Sequence, residues 1–149
     1  MKKVVLCAVA ALALLAAGCG GGGGSSELTA SEYSSQLNTI CADFNTAQKK
    51  IGDPQSIDDL AKLGPQIVDE FEKAISKAKD LNPPAELEEP ANEFTSLADQ
   101  QVVLINQLID AAKSGDEAKV NEVGAKIDPL KTKSDDIAKN ELKAPACTE

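Results

Sequence analysis

The 149-residue sequence contains no histidine and no tryptophan, and all fifteen of its basic residues are lysines, so it has no arginine. Histidine is the side chain that most often moves protons near neutral pH, and it is the commonest nitrogen ligand to metals. Its absence excludes Ser-His-Asp triads, histidine-based zinc sites and the Glu-x-x-His di-iron motif of helical bundles. The absence of arginine removes the planar fork that clamps phosphate or carboxylate in two places at once. Neither G-x-x-x-x-G-K-[ST] nor G-x-G-x-x-G occurs, and the five glycines at 20–24 precede no helix.

What resembles catalytic chemistry is thin. Ser76-Lys77-Ala78-Lys79 fits the S-x-x-K pattern of penicillin-interacting enzymes, but S-D-N and K-T-G are missing, with Lys131-Thr132-Lys133 in place of the latter. Carboxylates are plentiful, among them Asp58, Asp59, Glu88, Glu89, Asp135 and Asp136, yet no D-x-D-x-D-G loop is formed. Asp69, Lys73 and Lys77 stand at i,i+4 intervals and read as ion pairing along a solvated helix face. We expect no enzyme, no cofactor and no metal.

The N-terminus has the pattern of an export signal. Lys2 and Lys3 precede an apolar run from Val4 to Ala17, followed by small residues. That run is shorter than the roughly 20 residues a membrane-crossing helix requires. Beyond residue 18 thirteen lysines face twenty-four acids, a net charge of −11. Such a surface repels nucleic acid and anionic lipid, so no nucleic-acid partner is expected.

The stretch Leu15-Ala16-Ala17-Gly18-Cys19 resembles the lipobox of bacterial lipoproteins, with Ala16 where leucine is commonest. The resemblance implies that Cys19 receives diacylglycerol and becomes the mature N-terminus; an ordinary secretory leader with a chance cysteine, or an uncleaved anchor, is the competing reading. Two or more acyl chains anchor a domain stably without a spanning helix. The expected organisation is a leader at 1–18, a lipidated cysteine and Gly/Ser tether at 19–27, and a folded domain at 28–149. The glycines and serines at 20–26 give a reach of about 15 Å. The location expected is extracytoplasmic, lipid-anchored to the cell membrane.

Cys7 leaves with the leader and Cys19 is modified, so Cys41 and Cys147 remain in an oxidising compartment, where a disulfide is the default. Closing so long a loop is worth about 4–5 kcal/mol in the chain-entropy model. Two free thiols or a redox pair is the alternative, without a Cys-x-x-Cys to support it.

The domain reads as helical throughout. Thr29 and Glu32 form a capping box, flanked by Leu28 and Tyr33 at staple positions. Tyr33, Leu37, Ile40, Phe44, Ala47 and Ile51 then recur at steps of three and four. Gly52 and Pro54 end that segment, and Ser56 with Asp59 begins a second, whose stripe from Ile57 to Leu81 is interrupted at Gly64-Pro65, where a kink or short break is expected. The turn Leu81-Asn82-Pro83-Pro84 leads to a third and most apolar segment, starting near Pro90 and ending at Gly115. Asp116 caps a fourth, thinner segment carrying Val120, Val123, Ile127, Leu130, Ile137 and Leu142; Gly124 and Pro129 disturb it, and Ser134 stands where an apolar residue belongs. Four such segments with short connections predict an all-α, antiparallel up-down four-helix bundle.

The chain is similar to a group of small lipoproteins typical of actinobacteria. The likeness is carried by the lipobox, the tether, the pattern from Glu32 to Asn45, the turn from Leu81 to Leu87 and the final cysteine. It implies a helical, lipid-anchored domain with a Cys41–Cys147 link, and it brings no activity. Function is therefore expected to be non-enzymatic: an interaction or binding module of the envelope, its partner an envelope protein or wall component. The alternative is a carrier holding a small apolar molecule between the third and fourth helices. The third helix either is simply the most buried or offers a ligand or partner face at Phe94, Gln101, Val102, Ile105 and Ile109, with Gln101 as the polar group within its stripe. The fourth either swings to admit a ligand or is merely marginal in stability.

Overall fold

A computed structural model describes residues 27–148. The leader at 1–18, Cys19 and the tether up to residue 26 lie outside the described residues. Four helices follow one another: α1 (Ala30–Ile51), α2 (Ile57–Lys79), α3 (Glu88–Ser114) and α4 (Glu117–Asp136). No described residue is in a strand, and the architecture is an all-α four-helix bundle. No helix among the described residues is long and apolar enough to cross a membrane.

The helix ends follow local chemistry. The Thr29 hydroxyl accepts from the Glu32 backbone N–H, and the Glu32 carboxylate accepts from the Thr29 N–H at 2.9 Å, which completes the capping box. Ser56 accepts from the Asp59 N–H at 3.0 Å and Asp116 from the Lys119 N–H at 2.9 Å, so α2 and α4 are capped at the expected residues. Gly52 (φ 99°) and Gly115 (φ 70°) stop α1 and α3 in the positive-φ region, where a β-carbon is unfavourable. The third helix begins two residues before Pro90, after a single 3₁₀ turn at Ala85–Leu87.

The break expected at Gly64-Pro65 does not occur: α2 is continuous from Ile57 to Lys79. Pro65 lies on the exposed side, where a carbonyl that loses its intrahelical donor is readily hydrated. Gly64 has no β-carbon to collide with the proline ring, which removes much of the clash that usually turns a pre-proline residue out of the helix. The same outcome holds at Pro129, which is exposed within an unbroken α4. The fourth arm departs from regularity only after Asp136, in a π turn at Ile137–Glu141.

Consecutive helices form the main interfaces, and α1 meets the fourth arm chiefly through the tail at Pro145–Thr148. One end of the bundle is densely packed around Tyr33, Leu37, Phe94, Leu97, Ile137 and Leu142. The third helix supplies nine buried residues, more than any other, so its apolar excess is first of all core. Glu27 is already held by the domain, its carboxylate accepting from the Ala85 N–H at 2.9 Å, while the Leu28 N–H donates to the Asn82 carbonyl at 3.0 Å.

The tail is fastened three ways. A Cys41–Cys147 disulfide joins it to α1. The Asn45 side-chain amide donates to the Ala146 carbonyl at 2.7 Å, and the Asn38 side-chain carbonyl accepts from the Ala146 N–H at 2.8 Å. To turn back towards α1 the chain takes a positive φ of 54° at Lys143, a conformation rare for a residue with a side chain. Leu142 and Ala144, on either side, are fully buried and hold that turn in place.

Candidate functional site

The apolar stripe of α1 changes character along the helix. Tyr33 and Leu37 are buried, whereas Ile40 and Phe44 are only half-buried although they continue the same stripe. The reason is tertiary. Each helix packs on its sequence neighbours, the tail bridges α1 to the fourth arm at one end, and the seam between α1 and α4 is left without close helix–helix contact. Beneath that seam lies a cavity of about 280 Å³.

All four helices line it. Ile40 and Phe44 come from α1, Ile67 and Phe71 from α2, Phe94, Ala98 and Ile105 from α3, and Ser134 from α4; both disulfide cysteines also reach its wall. The Phe44 and Phe71 rings lean on each other across the α1–α2 groove, centroids 5.3 Å apart and tilted by 39°. At the outer margin Lys131 and Asp135 pair with each other at 2.6 Å, one turn apart on α4, so the rim carries no unpaired charge from these two.

Four polar side chains are buried among this apolar lining: Asn45, Thr95, Gln101 and Ser134. Two are satisfied. Asn45 donates to the tail, and the Thr95 hydroxyl donates to the carbonyls of Ala91 and Asn92 at 3.1 Å. The other two have no hydrogen-bond partner among the described residues, although Gln101 is only 9% and Ser134 only 7% exposed. Among the described residues no side-chain nitrogen or oxygen is both sealed from space and unbonded. The unbonded polar atoms of Gln101 and Ser134 therefore keep some accessible area, and both residues line the cavity.

Of the face anticipated on the third helix, the structure brings Phe94, Gln101 and Ile105 to the cavity and leaves Val102 and Ile109 off it. Val102 is half-buried elsewhere, and Ile109 packs on Gly64, whose missing β-carbon lets α2 and α3 approach. The cavity is not confined between the third and fourth helices, which meet directly; α1 and α2 supply most of its wall. Phe44 and Phe71 appear in sequence as ordinary stripe residues, and only their incomplete burial marks them out. Ser134 did carry a signal, as a hydroxyl in an apolar register.

The ion pairs lie on the surface. Lys73 bonds Glu70 at 2.6 Å, in preference to the Asp69 contact expected from i,i+4 spacing, and Glu70 holds the ammonium above its usual range. Lys79 of the S-x-x-K stretch is engaged by Asp99 of α3 at 2.7 Å, so it is a cross-helix pair. Among the described residues no group of three or more cysteine, aspartate or glutamate side chains is arranged to hold a metal ion. No protein-family model, curated protein or solved structure matches the chain.

Proposed function

We propose that this chain is a lipid-anchored, extracytoplasmic binding protein whose helical domain takes a small, largely apolar molecule into the cavity between its four helices. The observation that carries the proposal is the cavity itself: apolar walls from every helix, with two buried polar residues that have no hydrogen-bond partner among the described residues in its lining. Small-molecule sites have this composition, apolar lining with few orienting polar groups. At about 280 Å³ it is nearly twice the engineered apolar cavity of about 150 Å³ that admits benzene. The outer surface offers less to an envelope protein or wall component. Among the described residues Val103 alone is a large apolar side chain well exposed, at 57%, so no contiguous greasy patch is available for docking. Anchoring through Cys19, supported by the lipobox and by the leader that precedes it, would hold the domain at the membrane surface, close to a source of apolar molecules.

Mass spectrometry of the protein isolated from its own cells tests both halves. The intact mass should show loss of residues 1–18 and gain of acyl chains at Cys19. Under native conditions a further, non-covalent small-molecule mass should accompany it. An unmodified Cys19 or a retained leader overturns the anchor. A domain that emerges ligand-free from its native membrane, by gentle extraction, overturns the binding function.

A further inference from the structure

Building on the binding function proposed above, we infer that the molecule taken into the cavity is an uncharged amphiphile, with a hydroxyl or amide end bonded by Gln101 and Ser134 and an apolar body lying against Phe44, Phe71 and Ile105.

Three observations converge on this class. The first is hydrogen-bond capacity. A glutamine amide both donates and accepts, and so does a serine hydroxyl. Both are more than nine-tenths buried, line one cavity and lack partners among the described residues. A ligand group able to donate and accept satisfies both. The second is charge. Among the described residues the only ionisable side chains on the lining are Lys131 and Asp135, and they pair with each other. A carboxylate, phosphate or ammonium placed beside Gln101 would give up hydration and find a counter-charge only by drawing Lys131 or Asp135 out of their pair. The third is size. Scaled from the benzene case, about 280 Å³ accommodates on the order of a dozen non-hydrogen atoms. That is far short of a helical peptide, whose cross-section with side chains is about 10–12 Å.

Photolabelling of the full, lipidated chain reconstituted in phosphatidylcholine vesicles distinguishes the outcomes. The probes are decanol, decanoate, decylammonium and plain decane, each carrying a diazirine on its chain, with labelled residues mapped by mass spectrometry. Decanol should label cavity residues about tenfold more than decanoate or decylammonium. Gln101→Leu and, separately, Ser134→Ala should each lower decanol labelling by about three- to tenfold, the worth of one buried hydrogen bond, and leave decane unchanged. Equal labelling by decanoate and decanol overturns the inferred class, as does a decanol-to-decane ratio that neither substitution moves. The wild-type ratios stand even if a variant misfolds, and circular dichroism with retention of the Cys41–Cys147 bond reports folding. Failure of the binding function is a different result: no probe, decane included, labels the cavity more strongly than it labels Ala74→Phe, which puts a ring at Ala74 of α2, another residue of the cavity wall.

Discussion

A β-carbon at Gly64 would stand 2.6 Å from Cγ1 and 2.9 Å from Cδ1 of Ile109. The α2–α3 interface is thus closed by the absence of a side chain on one helix and the full branch of an isoleucine on the other, which is buried to 2% exposure. Alanine is the better helix former by about 1 kcal/mol, so propensity alone favours Gly64→Ala. Overpacking opposes it at about 1–3 kcal/mol, and the rigid helix gives little room to retreat. We expect Gly64→Ala to destabilise the domain, by up to about 2 kcal/mol. Paired with Ile109→Ala it should cost less than the sum of the two single changes, because the alanine methyl then enters the space the isoleucine vacates. Urea titration of the four proteins measures this coupling.

The Cys41–Cys147 bond spans 106 residues. Reducing it, or replacing both cysteines by alanine, should lower stability by up to about 4–5 kcal/mol on the chain-entropy account. Loss should be concentrated at the tail, since Asn38 and Asn45 alone would then hold Ala146. Hydrogen exchange should show faster opening at residues 142–148 before α2 or α3 is affected.

Lys143 adopts a positive φ of 54° with its side chain exposed. The left-handed conformation costs a residue with a β-carbon about 1–2 kcal/mol relative to its preferred regions. Lys143→Gly should therefore raise the melting temperature, against the usual direction of a glycine substitution, with a gain of up to about 1 kcal/mol. The lost bond from the lysine ammonium to the Asn140 carbonyl is exposed and offsets little of it.

Acid should weaken the exposed caps and pairs before it reaches the core. Hydrogen bonds from Lys126 and then Lys119 hold the Glu122 carboxyl well below its ordinary 4.5, at about 2. The Thr29 hydroxyl and backbone N–H lower Glu32 in the same direction. A depressed carboxylate contributes its stabilisation above the unfolded value and loses it as pH falls through the folded one. For Glu122 that window runs from about 4.5 down to about 2. Glu122→Gln should flatten the pH dependence of the melting temperature across it. Both groups are on the surface, so salt should shrink the effect.

Much of the fold was legible because its signals are local. A threonine three residues before a glutamate, a glycine after the last apolar residue of a stripe, and a serine or aspartate before the next all mark helix ends by chemistry that acts within one turn. The stripes on α1 and α2 were equally plain. The short break at Pro65 was the part that failed, since a proline breaks a helix only if its lost hydrogen bond and ring clash go uncompensated. Compensation came from an exposed position and from the glycine before it.

By itself, then, the sequence determined helix number and order and the capped helix ends, the acidic surface without histidine or arginine, and the availability of two cysteines for one link. Local backbone chemistry and composition suffice for these. Tertiary structure alone decided that α1 stands off from α4, that the tail and not a helix spans part of that seam, and that Phe44 and Phe71 therefore border a cavity when their periodicity would have placed them in solid core. Periodicity states which face of a helix turns inward; how far apart the inward faces lie is settled only when a contact such as Gly64 on Ile109 sets one interhelical distance and a disulfide fixes the tail across the gap.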